Sequence, residues 1–319
     1  MLQRCPLCQS RNIEPTRRVL RHRDGRPITY PAACAACGLL IDPERCHGLA
    51  GALARWSAAG RVDAALGCGF GMDAYTLRMA STLFQQLFEP LGDSQAKALA
   101  FPHSEHPGCG ALIHGGGAAT ADISLGYLCR PDAVDAILAG AAVHLAWARE
   151  IVLLCDGTAR VPAPMPKGVR IVYRPLDGHF GDQRNALQDL AVSDWILQLD
   201  ADETFRPEAG PFLRALAAHA SAQDIASIGL PRRNFVDGVL SDVFPDTQYR
   251  LNRRAVRFAG RVHERPDRPW QRSMISLNCA IEHHLSRRHV VERSHRYDRM
   301  APGQGRLEEE AALLLPYRD

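Results

Sequence analysis

The residues of this chain best placed to do chemistry together are Asp200-Ala201-Asp202-Glu203, which close the apolar run Trp195-Ile196-Leu197-Gln198-Leu199. Two carboxylates one residue apart at a strand's end, aimed the same way by extended geometry, suit a hard divalent cation. Mg²⁺ and Mn²⁺ bind through one or two carboxylates together with the oxygens of a substrate diphosphate. Such an ion would offset the charge that develops on a nucleoside-diphosphate leaving group. An Asp-x-Asp pair alone also serves as a soluble strand end or a helix cap. Here Pro207 follows as a helix start, so the pair sits where α/β proteins bind ligands, beyond the carboxyl end of a strand.

A second chemical set lies at the N-terminus. Cys5-Pro6-Leu7-Cys8 and Cys34-Ala35-Ala36-Cys37 are two Cys-x-x-Cys knuckles, and four thiolates at this spacing close a tetrahedral structural zinc site. The metal would supply the folding energy that so short a segment lacks. Residues 1–47 carry eight Arg against four Asp or Glu, a formal +4. Four thiolates and one zinc ion bring this to about +2, a weak electrostatic footprint. With no aromatic platform beside it, the segment reads as a solvated hairpin or a docking surface rather than a nucleic-acid face.

The chain that positions these sets has 319 residues, 46% of them hydrophobic, and a net charge of +3. That suffices for two domains and calls for neither nucleic acid nor membrane. No apolar stretch approaches a membrane span and the first residues lack a signal-peptide core, so a cytoplasmic protein is expected. In that compartment thiols stay reduced, and the ten cysteines read as ligands or core residues rather than disulfides.

Three regions are expected: a zinc ribbon over 1–47, a helical and loop connector over 48–120, and an α/β domain over 121–319. In the connector, Leu66-Gly67-Cys68-Gly69-Phe70-Gly71 reads as a turn between helices, Tyr75 to Phe88 as helix-like, and Phe101 to Thr120 as loop-like. In the last region strands are expected at Ile123–Leu128, Ile151–Cys155, Val169–Tyr173 and Trp195–Leu199. Helices are expected over Asp132–Ala148, with Asp132 as cap, and over Gln183–Ala191. The alternation implies a mostly parallel sheet with flanking helices. Asp156 and Asp200 each follow a strand end directly.

Further along stand Phe244-Pro245-Asp246-Thr247-Gln248-Tyr249-Arg250-Leu251, Gly260-Arg261-Val262-His263-Glu264, Ile281-Glu282-His283-His284 and Arg296-Tyr297. In order and spacing, Gln183-Arg184-Asn185, the Trp195–Glu203 run, Arg250-Leu251 and Val262-His263-Glu264 resemble the family 2 glycosyltransferases of GT-A fold. The similarity is to the bacterial branch containing lipopolysaccharide-core β-glycosyltransferases, and it covers about Ile123 to Tyr297. It implies a Rossmann-like GT-A domain and an inverting, metal-dependent transfer. A sugar would move from a nucleoside diphosphate to a glycan or lipid-linked acceptor, in cell-surface polysaccharide synthesis.

On this resemblance Asp156, Arg184 and Asn185 meet the nucleotide, and Asp200 and Asp202 meet diphosphate and metal. Arg250 and His283 meet diphosphate or metal, and Glu264 is the candidate base with Asp246 as its rival. Two departures stand out. The family's Asn-Glu after the first strand is here Arg130-Pro131-Asp132, and the acidic residue usual after the second-strand Asp is missing from Gly157-Thr158-Ala159-Arg160. The arginines at 250, 253, 254, 257, 261, 265 and 268 would meet diphosphates, anionic lipid headgroups at a peripheral membrane contact, or solvent. Two other readings compete: a non-catalytic ribbon protein with a degenerate core, and a nucleotidyltransferase, which usually carries a Gly-rich basic loop that Ile123 lacks.

Overall fold

The computed structural model describes residues 2–22, 24–64, 69–101, 103–158, 165–305 and 307–318. It forms two compact units, Met1–Ala118 with Ile275–Asn278, and Ala119–Met274 with Cys279–Arg318.

The second unit is a mixed α/β body built on a ten-stranded sheet. Its main path runs Val169–Tyr173, Glu150–Cys155, Ile123–Cys129, Trp195–Asp200, Asp246–Arg253, Ser227–Val236, Ile281–Leu285, Glu203–Phe205. The first four strands are parallel, and Ile123–Cys129 and Glu150–Cys155 are buried along their whole length. Continuous apolar runs dictate this, since a strand covered on both faces has no polar side to show. Beyond Trp195–Asp200 the sheet changes character, because Asp246–Arg253 lies antiparallel to both of its neighbours. The sheet is therefore mixed rather than mostly parallel. Asp246–Arg253 follows Ser227–Val236 through a short connection and pairs with it antiparallel, while Ile281–Leu285 returns parallel to Ser227–Val236 after a longer crossover that holds no α-helix.

The helices Val134–His144 and Phe180–Leu190 form where the apolar spacing requires them. Asp132 does not cap the first. It lies in the 3-10 turn Pro131–Ala133, and Ala133 is the capping residue, without a side-chain bond. The second is capped by His179, whose Nδ1 accepts from the Asp182 amide at 3.0 Å. Gly126 lets this helix lie close on the sheet. A Cβ there would stand 2.9 Å from Leu187 Cδ2.

The first unit joins the cysteine knuckles to much of the expected connector. Ile13–Pro15 pairs with Ala32–Cys34, which pairs with Leu40–Ile41, which pairs in turn with Phe70–Gly71. A strand from beyond residue 47 thus completes the ribbon sheet. Leu66-Gly67-Cys68 lies outside the described residues, but Phe70–Gly71 is strand where a turn between helices was expected. Gly71 permits it, because a Cβ would come within 2.7 Å of Leu20 and 2.8 Å of Tyr30. The helix-like run is helical only over Ala74–Ser81 and then becomes the strand Gln86–Pro90. The loop-like run contains the strand Cys109–His114, centred in a three-stranded sheet with Arg61–Asp63 and Gln86–Pro90. Among the described residues, no helix is long and apolar enough to cross a membrane.

Candidate functional site

Register builds the site. In the pairing of Ser227–Val236 with Asp246–Arg253, Arg232 lies opposite Asp246. Across the next two pairings, Asn234 lies opposite His283 and His283 opposite Glu203. Because side chains alternate along a strand, Arg232 and Asn234 face the same side and reach one ionic network. Arg184 joins it from the helix Phe180–Leu190, and Asp200 from the end of its strand.

Three guanidiniums, those of buried Arg184 and Arg250 and of half-buried Arg232, hold four carboxylates together. Arg184 Nη2 donates to Asp200 Oδ1 at 2.9 Å, and its Nε donates to Glu264 Oε1. Arg250 Nη2 donates to Asp200 Oδ2 at 2.5 Å and to Glu203 Oε1 at 2.9 Å. Arg232 Nη1 donates to the same Glu203 oxygen at 2.9 Å, and its Nε to Asp246 Oδ2 at 2.9 Å. Burial works to raise Asp200, Glu203 and Asp246, but the guanidiniums outweigh it. Glu203 is brought down to about 2 by Arg250 and Arg232. Asp200 is lowered by Arg184 and Arg250, and Asp246 well below the usual range by Arg232 and Asn234.

The network also fixes an imidazole. Asp246 is ionised and only accepts, so Asn234 turns its Nδ2 toward it at 3.1 Å. That aims Asn234 Oδ1 at His283 Nδ1, 2.7 Å away, and the ring must donate there. Nε2 is left facing Asp202 Oδ2 at 3.4 Å, with His289 Nδ1 3.9 Å from the same oxygen. Burial works to raise Asp202, but the nearby His283 prevails and its carboxyl is lowered.

A cavity of about 650 Å³ lies beyond the carboxyl ends of the parallel strands. It brings together Asp156, Arg184, Asp200, Asp202, Asp246, Arg250, Glu264 and His283 among its lining. Asp156 Oδ1 accepts from the Leu176 amide at 2.9 Å. Asn185 is placed elsewhere, where its Nδ2 donates to Phe258 O at 3.0 Å and its Oδ1 accepts from Phe258 N at 2.7 Å. Both ends of its amide are spent clipping the strand Arg257–Ala259 to the helix, so it does not meet the cavity as expected.

The paired aspartates also differ from expectation. The strand stops at Asp200, and Ala201 and Asp202 form a turn, so extended geometry no longer aligns the carboxylates. Both oxygens of Asp200 are taken by guanidiniums. Asp202 instead looks to His283 and His289. For a divalent ion the fit is therefore carried by Asp202 and His283, whose other ring nitrogen is oriented by an amide as ligating histidines usually are. Arg184 and Arg250, expected at nucleotide and diphosphate, are each bound to two carboxylates, and Arg250 Nε is buried without an acceptor.

Several partners escaped the sequence reading: Gln198, Arg232, Asn234, Gln248, His289 and Arg293. The period-two pair Arg232 and Asn234 within an apolar strand was a readable signal. So was Gln198 in the middle of a buried one, where its Nε2 donates to Arg184 O at 3.1 Å.

In the first unit the four knuckle cysteines converge. Cys5 Sγ lies 3.6 Å from Cys37 Sγ, Cys8 Sγ lies 3.6 Å from Cys34 Sγ, and all four lie within 4.8 Å of one another. Tetrahedral zinc with Zn–S near 2.3 Å needs sulfurs about 3.8 Å apart. The cluster matches that spacing. Among the described residues, it is the one group of three or more metal-capable side chains this close together.

No protein-family model matches the chain, and no curated protein matches it. Among solved structures, it is similar to S. aureus TarS 1-349 in complex with UDP, at 10% identity and a TM-score of 0.35 over 57% of this chain and 66% of that one. It is also similar to S. aureus TarS 1-349 in complex with UDP-GlcNAc, at 12% identity and a TM-score of 0.36 over 52% of this chain and 58% of that one. In both cases the matched stretch is less than two thirds of the neighbour's own length.

Proposed function

We propose that the second unit is an inverting glycosyltransferase of GT-A type, taking a nucleoside-diphosphate sugar as donor and a glycan or lipid-linked hydroxyl as acceptor. The observation that carries this reading is the cavity at the parallel strand ends that gathers Asp156, Asp202, Glu264 and His283. Its volume suits a nucleotide sugar. Asp156, at a strand end, would face the nucleotide.

Glu264 is the candidate base. Among the described residues only Arg184 donates to it, through Oε1, which orients the carboxylate and leaves it able to accept a proton. The acceptor hydroxyl would attack the anomeric carbon from the face opposite the diphosphate. Its proton passes to Glu264 as the new C–O bond forms, and the bond to the leaving phosphate oxygen breaks with its electron pair. One displacement inverts the anomeric centre. Asp246, the rival, is a weak base because Arg232, Asn234 and Gln248 all donate to it. Arg184 is a positioning residue.

Asp202 and His283 are the residues that would hold Mg²⁺ or Mn²⁺. Bound there, such an ion would neutralise charge on the departing diphosphate. The cysteine cluster is proposed to hold a structural zinc.

The test is hydrolysis of a panel of nucleotide sugars with Mg²⁺ or Mn²⁺, beside protection from thermal unfolding by the matching nucleoside diphosphates. Turnover of one donor and protection by its diphosphate are expected. If no nucleotide sugar is hydrolysed and no nucleoside diphosphate protects, the reading fails.

A further inference from the structure

The helix Arg287–Met300 carries a cationic face that neither the buried network nor the candidate base uses. It begins at Ser286, whose Oγ accepts from the His289 amide at 3.1 Å. Val290 and Ser294 are buried, while His289, Arg293, Arg296 and Tyr297 line the cavity. Spacings of four, three and one residues put those four on one stripe of the helix.

Arg293 and Arg296 differ in one respect from Arg184, Arg232 and Arg250, which line the same cavity. Arg184, Arg232 and Arg250 are each bound to carboxylates. Among the described residues neither Arg293 nor Arg296 has a carboxylate within 4.0 Å, and each instead lies over the Tyr297 ring, at 6.0 and 5.6 Å. Arg296 Nε is buried without an acceptor. A partly buried guanidinium with no counter-ion is costly, and an arriving anion removes that cost. The planar fork of arginine fits phosphate oxygens in pairs. The stripe starts at His289, beside Asp202, and its charge also reaches Tyr297, which burial raises and both arginines lower.

We infer that Arg293 and Arg296 form the diphosphate-binding face of the cavity. This rests on the nucleotide-sugar reading for its substrate, but the chemistry recognised is that of a diphosphate as such.

The experiment uses the full chain and its R293Q/R296Q variant, with R293K/R296K as the charge-retaining pair and R299Q on the exposed side as control. Each is titrated calorimetrically with inorganic pyrophosphate, with UDP, GDP and ADP, and with the parent nucleosides, after its melting temperature has been checked. The glutamine pair should bind pyrophosphate and the preferred nucleoside diphosphate about 10- to 100-fold more weakly, as expected for lost charged hydrogen bonds. Its nucleoside affinity should be unchanged. The lysine pair should keep most of the anion affinity, and R299Q all of it. Undiminished pyrophosphate binding by the folded glutamine pair overturns the inference while leaving the transferase reading intact. Pyrophosphate binding that the glutamine pair loses, with no nucleoside diphosphate binding more tightly than pyrophosphate, keeps the anion face and sinks the nucleotide-sugar reading.

Discussion

Asn234 Oδ1 and His283 Nδ1 stand 2.7 Å apart, and this contact decides which edge of the imidazole meets Asp202. The chain of cause runs from a guanidinium to a ring nitrogen. Arg232 keeps Asp246 ionised, Asp246 turns the Asn234 amide, and the amide turns His283. N234A should therefore lower Mn²⁺ affinity about 10- to 100-fold, the effect usual for loss of an orienting partner. H283A should lower it further. Mn²⁺ binding followed by electron paramagnetic resonance checks this, and an N234A variant that binds Mn²⁺ as the parent does would remove the orienting role.

On the proposed reading Glu264 is the chemical carboxylate and Asp246 a structural one. E264Q should lower kcat about 10²- to 10⁴-fold with little change in donor KM, because its proton acceptor is lost. D246N should act on stability, because it weakens one of the two carboxylate partners of half-buried Arg232, at a cost of about 1–3 kcal/mol. Kinetics and urea denaturation of the two variants decide the matter. A stable D246N enzyme with a collapsed kcat would reverse the assignment.

Much of this was legible in the sequence, and the reasons are specific. The parallel strands Ile123–Cys129 and Glu150–Cys155 announce themselves because both faces are buried, and two knuckles suffice to foresee the cysteine cluster. Asp200 and Asp202 were placed at the correct strand end. Their divergence was not foreseen, since it depends on the strand stopping at Asp200 and on arginines 16 residues before and 50 after it. Asn185 shows the same limit, because its partner Phe258 is 73 residues away. The strands of 61–114 were missed because they are short and Gly- or Pro-punctuated, and their burial comes from partners across the unit.

The ionic network should make the second unit acid-labile. Glu203 titrates near 4.5 when unfolded and at about 2 when folded. A depressed carboxylate gives stability that is present above the unfolded value and is lost as pH falls through the folded one. For Glu203 the loss therefore runs from about pH 4.5 down to about 2, and Asp200, also depressed, adds to it in the same direction. Urea midpoints measured between pH 7 and 3 should fall steeply below pH 4.5. E203Q should be less stable at pH 7 and show a shallower pH dependence. Equal slopes in the two proteins would show that Glu203 carries none of the effect.

Cys5, Cys8, Cys34 and Cys37 sit in one buried cluster with Leu39, Leu49, Phe70 and Met72, so the metal and the core of the first unit should fail together. Freshly purified protein should contain about one zinc per chain, the stoichiometry of one tetrahedral four-thiolate site. C34S should abolish that content and expose Met1–Ala118 to proteolysis, because binding energy at such a site is folding energy. Because the cysteine thiols must lose their protons to bind, zinc release should also become easier as pH falls. Zinc analysis by plasma mass spectrometry, paired with limited proteolysis before and after chelation, reads both effects. A zinc content near zero, or a chelated protein whose first unit resists protease as well as the untreated one, would show that these cysteines are packed thiols rather than metal ligands.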